Sequence, residues 1–444
     1  MNSVDIRHGD CLEVLRGLPD NSVDSVVCDP PYGLSNTKPQ QVADVLAAWV
    51  TGDTEAVPTT KGGFMGKDWD SFVPPPAVWE ECLRVLKPGG HMAVFAGART
   101  QDLMGLSIRL AGFEIRDTLG WIYGSGFPKS MDISKAIEST LTTGKSNSRS
   151  LRKTEQDGDG EAYTLTGKNN GIMGETRTYE RKRFTPATSD AARWSGWGTA
   201  LKPAIEPIIL ARKPLVGTVA QNVLAHGVGG LNIDACRVSG EGLKASDYDD
   251  TRRSAPKFSG ILNGGKDGAY RSSTGEVPSG RFPANVLLDE HAAKEMDKQS
   301  GVLKSGEIKA TPNTARSQGV CYGSFEVSKP NYHPPNEGGA SRFFPVFKYQ
   351  AKAPKKERPV IEREDGTKVQ HPTVKPVALM EWLVTLTTPE GGLVLDPFAG
   401  TGTTLQAARN KGFSAIGVEQ DPDYIQLINA RLENAEENLF TTTN

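Results

Sequence analysis

Asp396-Pro397-Phe398-Ala399-Gly400-Thr401-Gly402-Thr403-Thr404 stands between a short apolar run, Gly392–Asp396, and a stretch of helical composition, Thr403–Lys411. A strand that runs into a glycine-rich turn and out into a helix is the mark of a doubly wound α/β sheet. Small residues at such a turn let the backbone come close to a ligand at the helix N-terminus. The next strand, Ala415–Glu419, ends on a carboxylate that can accept hydrogen bonds from both hydroxyls of a ribose. A lone Gly-x-Gly reads as a tight turn, but strand, turn, helix, strand and terminal acid in series read as a site for a nucleoside-containing cofactor. The third glycine of a dinucleotide fingerprint is absent, because Leu405 stands in its place.

Working outward, Lys375–Thr388 carries Leu379, Leu383 and Leu386 at helical spacing, and Tyr424–Leu432 reads as a closing helix. The other end of the chain alternates in the same way. A short helix at Cys11–Leu18 precedes the buried-strand run Val23–Cys28; Trp79–Leu86 reads as a helix stopped by Lys87-Pro88-Gly89-Gly90, followed by a strand at His91–Phe95. A helix at Gln101–Leu110 is paired with a strand at Glu114–Tyr123. This alternation predicts a parallel sheet covered on both faces, shared between the two ends of the chain. Between them the pattern lapses: residues 129–195 are rich in Ser, Thr, Gly, Asp and Lys and read as an insertion or mobile loop. Order returns at 196–212, where Ile205–Leu210 reads as a strand end, and 213–350 is again irregular and reads as a separate domain. The expected organisation is therefore 1–128 and 370–444 as two halves of one sheet, with a linker at 351–369.

The chain has 444 residues and a net charge of -2, which argues against a simple nucleic-acid binder, since phosphate neutralisation needs clustered Lys and Arg. Between Lys129 and Lys213, however, 15 Lys and Arg stand against 10 Asp and Glu, so one stretch permits a basic surface. No apolar run approaches the roughly 18 residues of a membrane span, and Met1–Asp10 lacks the features of a secretion signal, so a cytoplasmic protein with no membrane partner is expected. Cys11, Cys28, Cys82, Cys236 and Cys321 are scattered, which predicts reduced thiols and no metal site.

Asp29-Pro30-Pro31-Tyr32 follows directly on the predicted strand Val23–Cys28. Two prolines stiffen the turn and remove two backbone donors, which turns the Pro30 carbonyl outward beside the Asp29 carboxylate. Two acceptors side by side suit an exocyclic amino group: they hold its hydrogens and aim the nitrogen lone pair at an electrophile, while Tyr32 offers a face for a base to stack on.

Taken together, DPPY and DPFAGTG resemble the amino-methyltransferase class of DNA methyltransferases, which modify adenine N6 or cytosine N4. With DPPY first and the glycine-rich motif last, the order is similar to the β-group, whose S-adenosylmethionine-dependent sheet is circularly permuted, Rossmann-like and interrupted by a target-recognition domain. Gly9-Asp10-Cys11, Arg84–Gly90, Trp197–Pro207 and His371–Pro376 agree with this, and Trp197–Pro207 is similar to methyltransferases common in phages and prophages. The resemblance covers somewhat under half the chain. It implies S-adenosyl-L-methionine as cofactor, duplex DNA as partner and a plausible homodimer. It also implies that Asp10, Cys11, Thr373, Lys375, Asp396, Phe398, Gly400, Gly402 and Glu419 line the cofactor pocket, with Asp10 near the adenine amine.

Because a sulfonium methyl is already activated, the expected task of the protein is to extrude the base, position it and exclude water, with Asp29, Pro30, Pro31 and Tyr32 as the catalytic set. C5-cytosine chemistry calls for a thiolate, generally in a Pro-Cys pair, and none of the five cysteines follows a proline. DPPY favours adenine N6 in this resemblance, with cytosine N4 as the alternative. Enzymes acting on RNA or protein glutamine usually have the glycine-rich motif first and Asn for Asp, and a non-catalytic relic fits poorly with both motifs intact. Candidate DNA contacts are Arg181, Lys182, Arg183, Arg193, Arg342, Lys355 and Lys356, while Trp194, Trp197, Phe343 and Phe344 are expected in the core more than on bases.

Overall fold

All six residues of Val23–Cys28 are buried, as a strand covered on both faces requires. In the computed structural model, which describes residues 3–35, 37–58, 70–124, 126, 130–144, 163–167, 177–181, 184–238, 280–305, 336–347, 359–363, 365–371 and 373–441, this strand lies inside a nine-stranded sheet. Its strands are β1 (Val4–His8), β2 (Val23–Cys28), β3 (Leu86–Phe95), β4 (Glu114–Ile122), β5 (Ile205–Arg212), β6 (Val286–Asp289), β7 (Val346–Phe347), β8 (Leu393–Asp396) and β9 (Ser414–Glu419). Across the sheet they run β1-β9-β8-β2-β3-β5-β4-β6-β7. The helices of this unit are α1 (Cys11–Arg16), α2 (Pro39–Val50), α3 (Pro76–Val85) and α4 (Gln101–Leu110), then α7 (Val219–His226), α8 (Glu290–Ser300), α9 (Val377–Thr387), α10 (Thr403–Asn410) and α11 (Pro422–Thr441); α5 and α6 belong to the second unit described below. Two buried apolar clusters form, one holding Leu15, Trp79, Val85 and Ile108, the other Leu379, Leu383, Leu405 and Ile428.

From β8 the chain winds outward through β9, and from β2 it winds the opposite way through β3, so the order reverses between these two neighbours. Ligands of open α/β sheets bind at such a switch point, outside the carboxyl ends of the strands. β2 and β8 are parallel, with Ser25 level with Val394 and Val26 level with Leu395, so DPPY and DPFAGTG leave the sheet side by side. Side chains reinforce the seam: the Leu393 N–H donates to Asp24 Oδ2 at 2.8 Å, and the Ser25 and Thr388 hydroxyls lie 2.7 Å apart.

Two expectations differ from the structure. The sheet is not wholly parallel, since β5 runs antiparallel to both β3 and β4. Ile122 and Ile205 are register partners, so the chain re-enters the sheet where it left and must run back. Within 213–350, read as a separate irregular domain, Val286–Asp289 pairs with β4 and Val346–Phe347 pairs with Val286–Asp289, which extends the main sheet at its edge. Three apolar residues, Val286-Leu287-Leu288, are too few to display a periodicity.

Ser125–Ala204 forms a second compact unit, apart from Met1–Gly124 and Ile205–Asn444. It holds α5 (Ile133–Thr143), α6 (Ser189–Arg193) and an antiparallel pair of Tyr163–Gly167 with Arg177–Arg181. Glu138 Oε2, on a buried side chain of α5, accepts from the Ala187 and Thr188 backbone N–H groups and the Thr188 hydroxyl, which ties the start of α6 to α5. Trp194 and Trp197 pack edge to face at 5.1 Å, yet they are 39% and 61% exposed. Their expected core role is not realised, because α6 is a single short turn whose one buried side chain is Ala191. Phe343, in the main unit, is likewise exposed and stacks against Arg342, and Phe344 is half-buried.

Candidate active site

Asp29 leaves the end of β2 with its two oxygens engaged by different partners. Oδ1 accepts from the Tyr32 hydroxyl at 2.7 Å, and Oδ2 accepts from the Lys375 ammonium at 2.7 Å. Lys375 also lies 3.0 Å from the Tyr32 hydroxyl oxygen and 3.2 Å from Glu206 Oε2, and the Tyr32 hydroxyl is 3.4 Å from that same Glu206 oxygen. Burial opposes the charge on Lys375, but the carboxylates of Asp29 and Glu206 hold its pKa above the ordinary lysine value. Burial, with the same two carboxylates, also pushes the Tyr32 phenol well up, so Tyr32 stays neutral and donates. The turn is fixed from below by Thr100, whose hydroxyl donates to the Tyr32 carbonyl at 2.6 Å, and by Asp70, which accepts from the Gly33 N–H at 2.9 Å.

On the neighbouring strand, Asp396 is only 2% exposed and accepts from the Phe398 N–H at 3.0 Å. Burial pushes its pKa up to about 7 against the hydrogen bonds from Thr404 and Phe398, and the Asp29 and Glu419 charges raise it further. Glu419 closes β9 and spans the glycine turn: Oε2 accepts from the Gly400 N–H at 2.8 Å and Oε1 from the Asp421 N–H at 2.8 Å. Burial raises its pKa in spite of these bonds. Each oxygen keeps a further lone pair, which leaves the carboxylate able to accept from a ligand. The turn is gripped from behind by the buried Arg431 of α11, whose Nε donates to the Thr401 carbonyl at 2.6 Å.

The glycines divide the work. Gly402, the N-cap of α10, has φ +74° and a Cβ there would meet Ile428 Cγ2 at 2.9 Å, so its backbone is pressed against α11. Gly400 has φ +53°, but an added Cβ would meet only ordinary contacts, the nearest being His371 Nε2 at 3.7 Å. A bare glycine turn at a helix N-terminus, next to a buried acid, fits a nucleoside cofactor. Across β9, His8 of β1 is level with Glu419 and the Gly9 N–H donates to the Glu419 carbonyl at 3.1 Å, which brings Asp10 and Cys11 beside this acid. Burial, then Asp10 and Glu419, push the Cys11 thiol up to about 12, so it is a neutral wall. Asp10 Oδ1 caps α1 by accepting from Leu12 N at 2.9 Å and Glu13 N at 3.3 Å. Phe398 packs tilted against Trp79 with ring centroids 6.1 Å apart, and Thr373 is exposed, its N–H donating to His371 Nδ1 at 3.3 Å.

The catalytic and cofactor-pocket candidates are therefore brought to one edge of the sheet. Lys375, read as lining the cofactor pocket, extends its ammonium to Asp29, Tyr32 and Glu206 and lies 4.8 Å from the Phe95 ring centroid. Glu206, Phe95, Thr100 and Arg431 escaped the sequence reading; for Glu206 the available signal was an acid at the mouth of the apolar run Ile208–Ala211. Of the candidate DNA contacts, Arg193 lies on α6, and Arg342 is drawn inward to donate to the Gly338 and Gly339 carbonyls at 2.6 and 2.7 Å. Lys182, Arg183, Lys355 and Lys356 lie outside the described residues, as does the side chain of Arg181. Among the described residues no group of His, Cys, Asp and Glu is arranged to hold a metal ion, and no helix is long and apolar enough to cross a membrane.

A family model described as DNA methylase, of the N6 and N4 type, matches residues 23–430. The Type II methyltransferase M.ScaI of Streptomyces caespitosus is 35% identical over 79 residues, which are 18% of this chain and 26% of that protein. The Type II methyltransferase M2.DpnII of Streptococcus pneumoniae is 40% identical over 68 residues, 15% of this chain and 25% of that one. The chain thus matches about a quarter of the length of these curated relatives. Among solved structures, the M1.HpyAVI–SAM complex is 13% identical with a TM-score of 0.38, covering 97% of this chain and 98% of that one. The PvuII DNA methyltransferase, described as cytosine-N4-specific, is 14% identical with a TM-score of 0.39, covering 97% and 86%.

Proposed function

This chain belongs to the DNA methylase family of the N6 and N4 type, and from that premise we propose that it methylates the exocyclic N6 of adenine in duplex DNA, using S-adenosyl-L-methionine. The observation that carries the reading is the pairing of the Asp29 turn with the glycine turn at adjacent strand ends, where a base amine and a nucleoside cofactor would meet. When bound, S-adenosylmethionine supplies a methyl group activated by its sulfonium. Glu419 would accept from the ribose hydroxyls, Gly400 would admit the cofactor against bare backbone, and Asp10, Cys11, Phe398 and Thr373 would wall the remaining sides.

Asp29 and the Pro30 carbonyl would accept the two amine hydrogens of a base turned out of the helix, which directs the nitrogen lone pair toward the cofactor. Tyr32 would pack against the base while its hydroxyl holds Asp29 in place at 2.7 Å. The proton released from the methylated nitrogen passes to Asp29 or water, since Lys375 is already protonated between two carboxylates. Arg193 and the exposed pair Trp194 and Trp197 are offered as contacts to the nucleic acid. The test is transfer of labelled methyl to unmethylated duplex DNA followed by nucleoside digestion and mass spectrometry. N6-methyladenine is expected; N4-methylcytosine would move the target base, and no label on DNA would move the substrate to RNA or protein.

A further inference from the structure

The Lys375 ammonium is shared between two acids that come from different strands. It sits 2.7 Å from Asp29 Oδ2 and 3.2 Å from Glu206 Oε2, with only 10% of its side chain exposed. Glu206 reaches this edge because β5 is the reversed strand: its first residues lie level with the last residues of its neighbours, Glu206 with Trp121 and Ile208 with Phe95. In this arrangement each oxygen of Asp29 already accepts a bond, Oδ1 from Tyr32 and Oδ2 from Lys375, so an incoming amine competes with the ammonium at Oδ2. An ammonium this deeply buried is held by its counter-ions, and removing the only one would strand it. With a second carboxylate in reach it needs only to shift toward that one.

We propose that Glu206 is a positioning residue that acts through Lys375: it retains the ammonium as the substrate amino group replaces it on Asp29. The pair is thus a built-in placeholder, in which Lys375 keeps Asp29 paired before the base arrives and Glu206 accepts the charge afterwards. The inference rests on the reading of Asp29 as acceptor for the base amine. Phe95 adds a further attraction for the cation, its ring centroid lying 4.8 Å from Nζ.

The experiment is a double-mutant cycle on the full chain, with Glu206→Gln, Lys375→Met and the pair, and with cofactor affinity measured alongside. The target site is first mapped from wild-type methylation. Base insertion is then read as the fluorescence of 2-aminopurine placed beside the target adenine, which keeps the amino group of the target, needs no turnover and so reports on every variant. In the Lys375 background, Glu206→Gln is expected to weaken base insertion and slow transfer by about tenfold or more, with cofactor affinity within about threefold. In the Lys375→Met background the same substitution is expected to change insertion by less than about twofold, and Glu206→Asp should recover part of the loss. Equal losses in both backgrounds, or a collapse of cofactor binding, would overturn the role of Glu206 while leaving an active wild type intact. A wild type that methylates no DNA would overturn the reading of Asp29 and this inference with it.

Discussion

Two Asp-Pro turns, Asp29-Pro30 and Asp396-Pro397, leave adjacent parallel strands at the same edge of the sheet, and they have opposite surroundings. Asp29 is bonded by an ammonium and a phenol, both supplied by side chains that could yield to a ligand. Asp396 is sealed in, bonded to its own turn, and pushed to about 7 by burial. The same dipeptide therefore presents a carboxylate bonded by distant side chains in one place and one that organises its own backbone in the other. What differs is the set of groups that tertiary contacts bring to each carboxylate.

Breaking the first turn should have the largest effect. Asp29→Ala is expected to slow methyl transfer by about two to four orders of magnitude while cofactor affinity stays within a few-fold. Full activity in that variant would remove Asp29 from the acceptor role. On the second turn the damage should fall on binding: Glu419→Ala is expected to weaken cofactor affinity by about 10- to 100-fold, measured by equilibrium titration. Unchanged affinity would take Glu419 out of the pocket.

The two glycines sharpen the contrast within the second turn. Gly402→Ala combines a left-handed backbone, costing about 1–2 kcal/mol, with a clash against Ile428 of about 1–3 kcal/mol. Gly400→Ala carries the backbone cost alone, about 1–2 kcal/mol, because its Cβ would meet no atom closer than 3.7 Å. Thermal unfolding should rank Gly402→Ala as the less stable, and the reverse order would contradict the packing of this turn against α11.

The second turn should also leave a pH slope. The Asp396 carboxyl holds its proton up to about 7 in the folded chain against 3.8 for the ordinary group. Its contribution to stability is then fully present below about 4 and declines as the pH rises to about 7, because over that window the folded state binds the extra proton. Replacing Asp396 with Asn should flatten that part of the melting-temperature profile. A slope as steep as in the wild type would assign it to other groups.

Much of this edge was legible in the chain. Val23–Cys28 and Gln101–Leu110 have the bounds their patterns predict, and the strand, turn, helix and acid of residues 392–419 are where composition places them. β1 was not legible, because Val4–His8 is a short edge strand that is only half-buried. α2 escaped as well, although Val45 and Trp49 are buried on one face of it. The exposed Trp194 and Trp197 went the other way: large aromatics read as core wherever no packing surface is known.

By itself the sequence determined the two turns, their order and the chemistry of their side chains, because strand ends, proline stiffening and glycine turns are local properties of the backbone. Only the tertiary structure decided that Asp29 and Asp396, 367 residues apart, are neighbours, that β5 runs backward, and that Lys375 meets Glu206. Strand order and direction depend on which edges pair, and a buried ammonium settles among whichever carboxylates that pairing brings within reach.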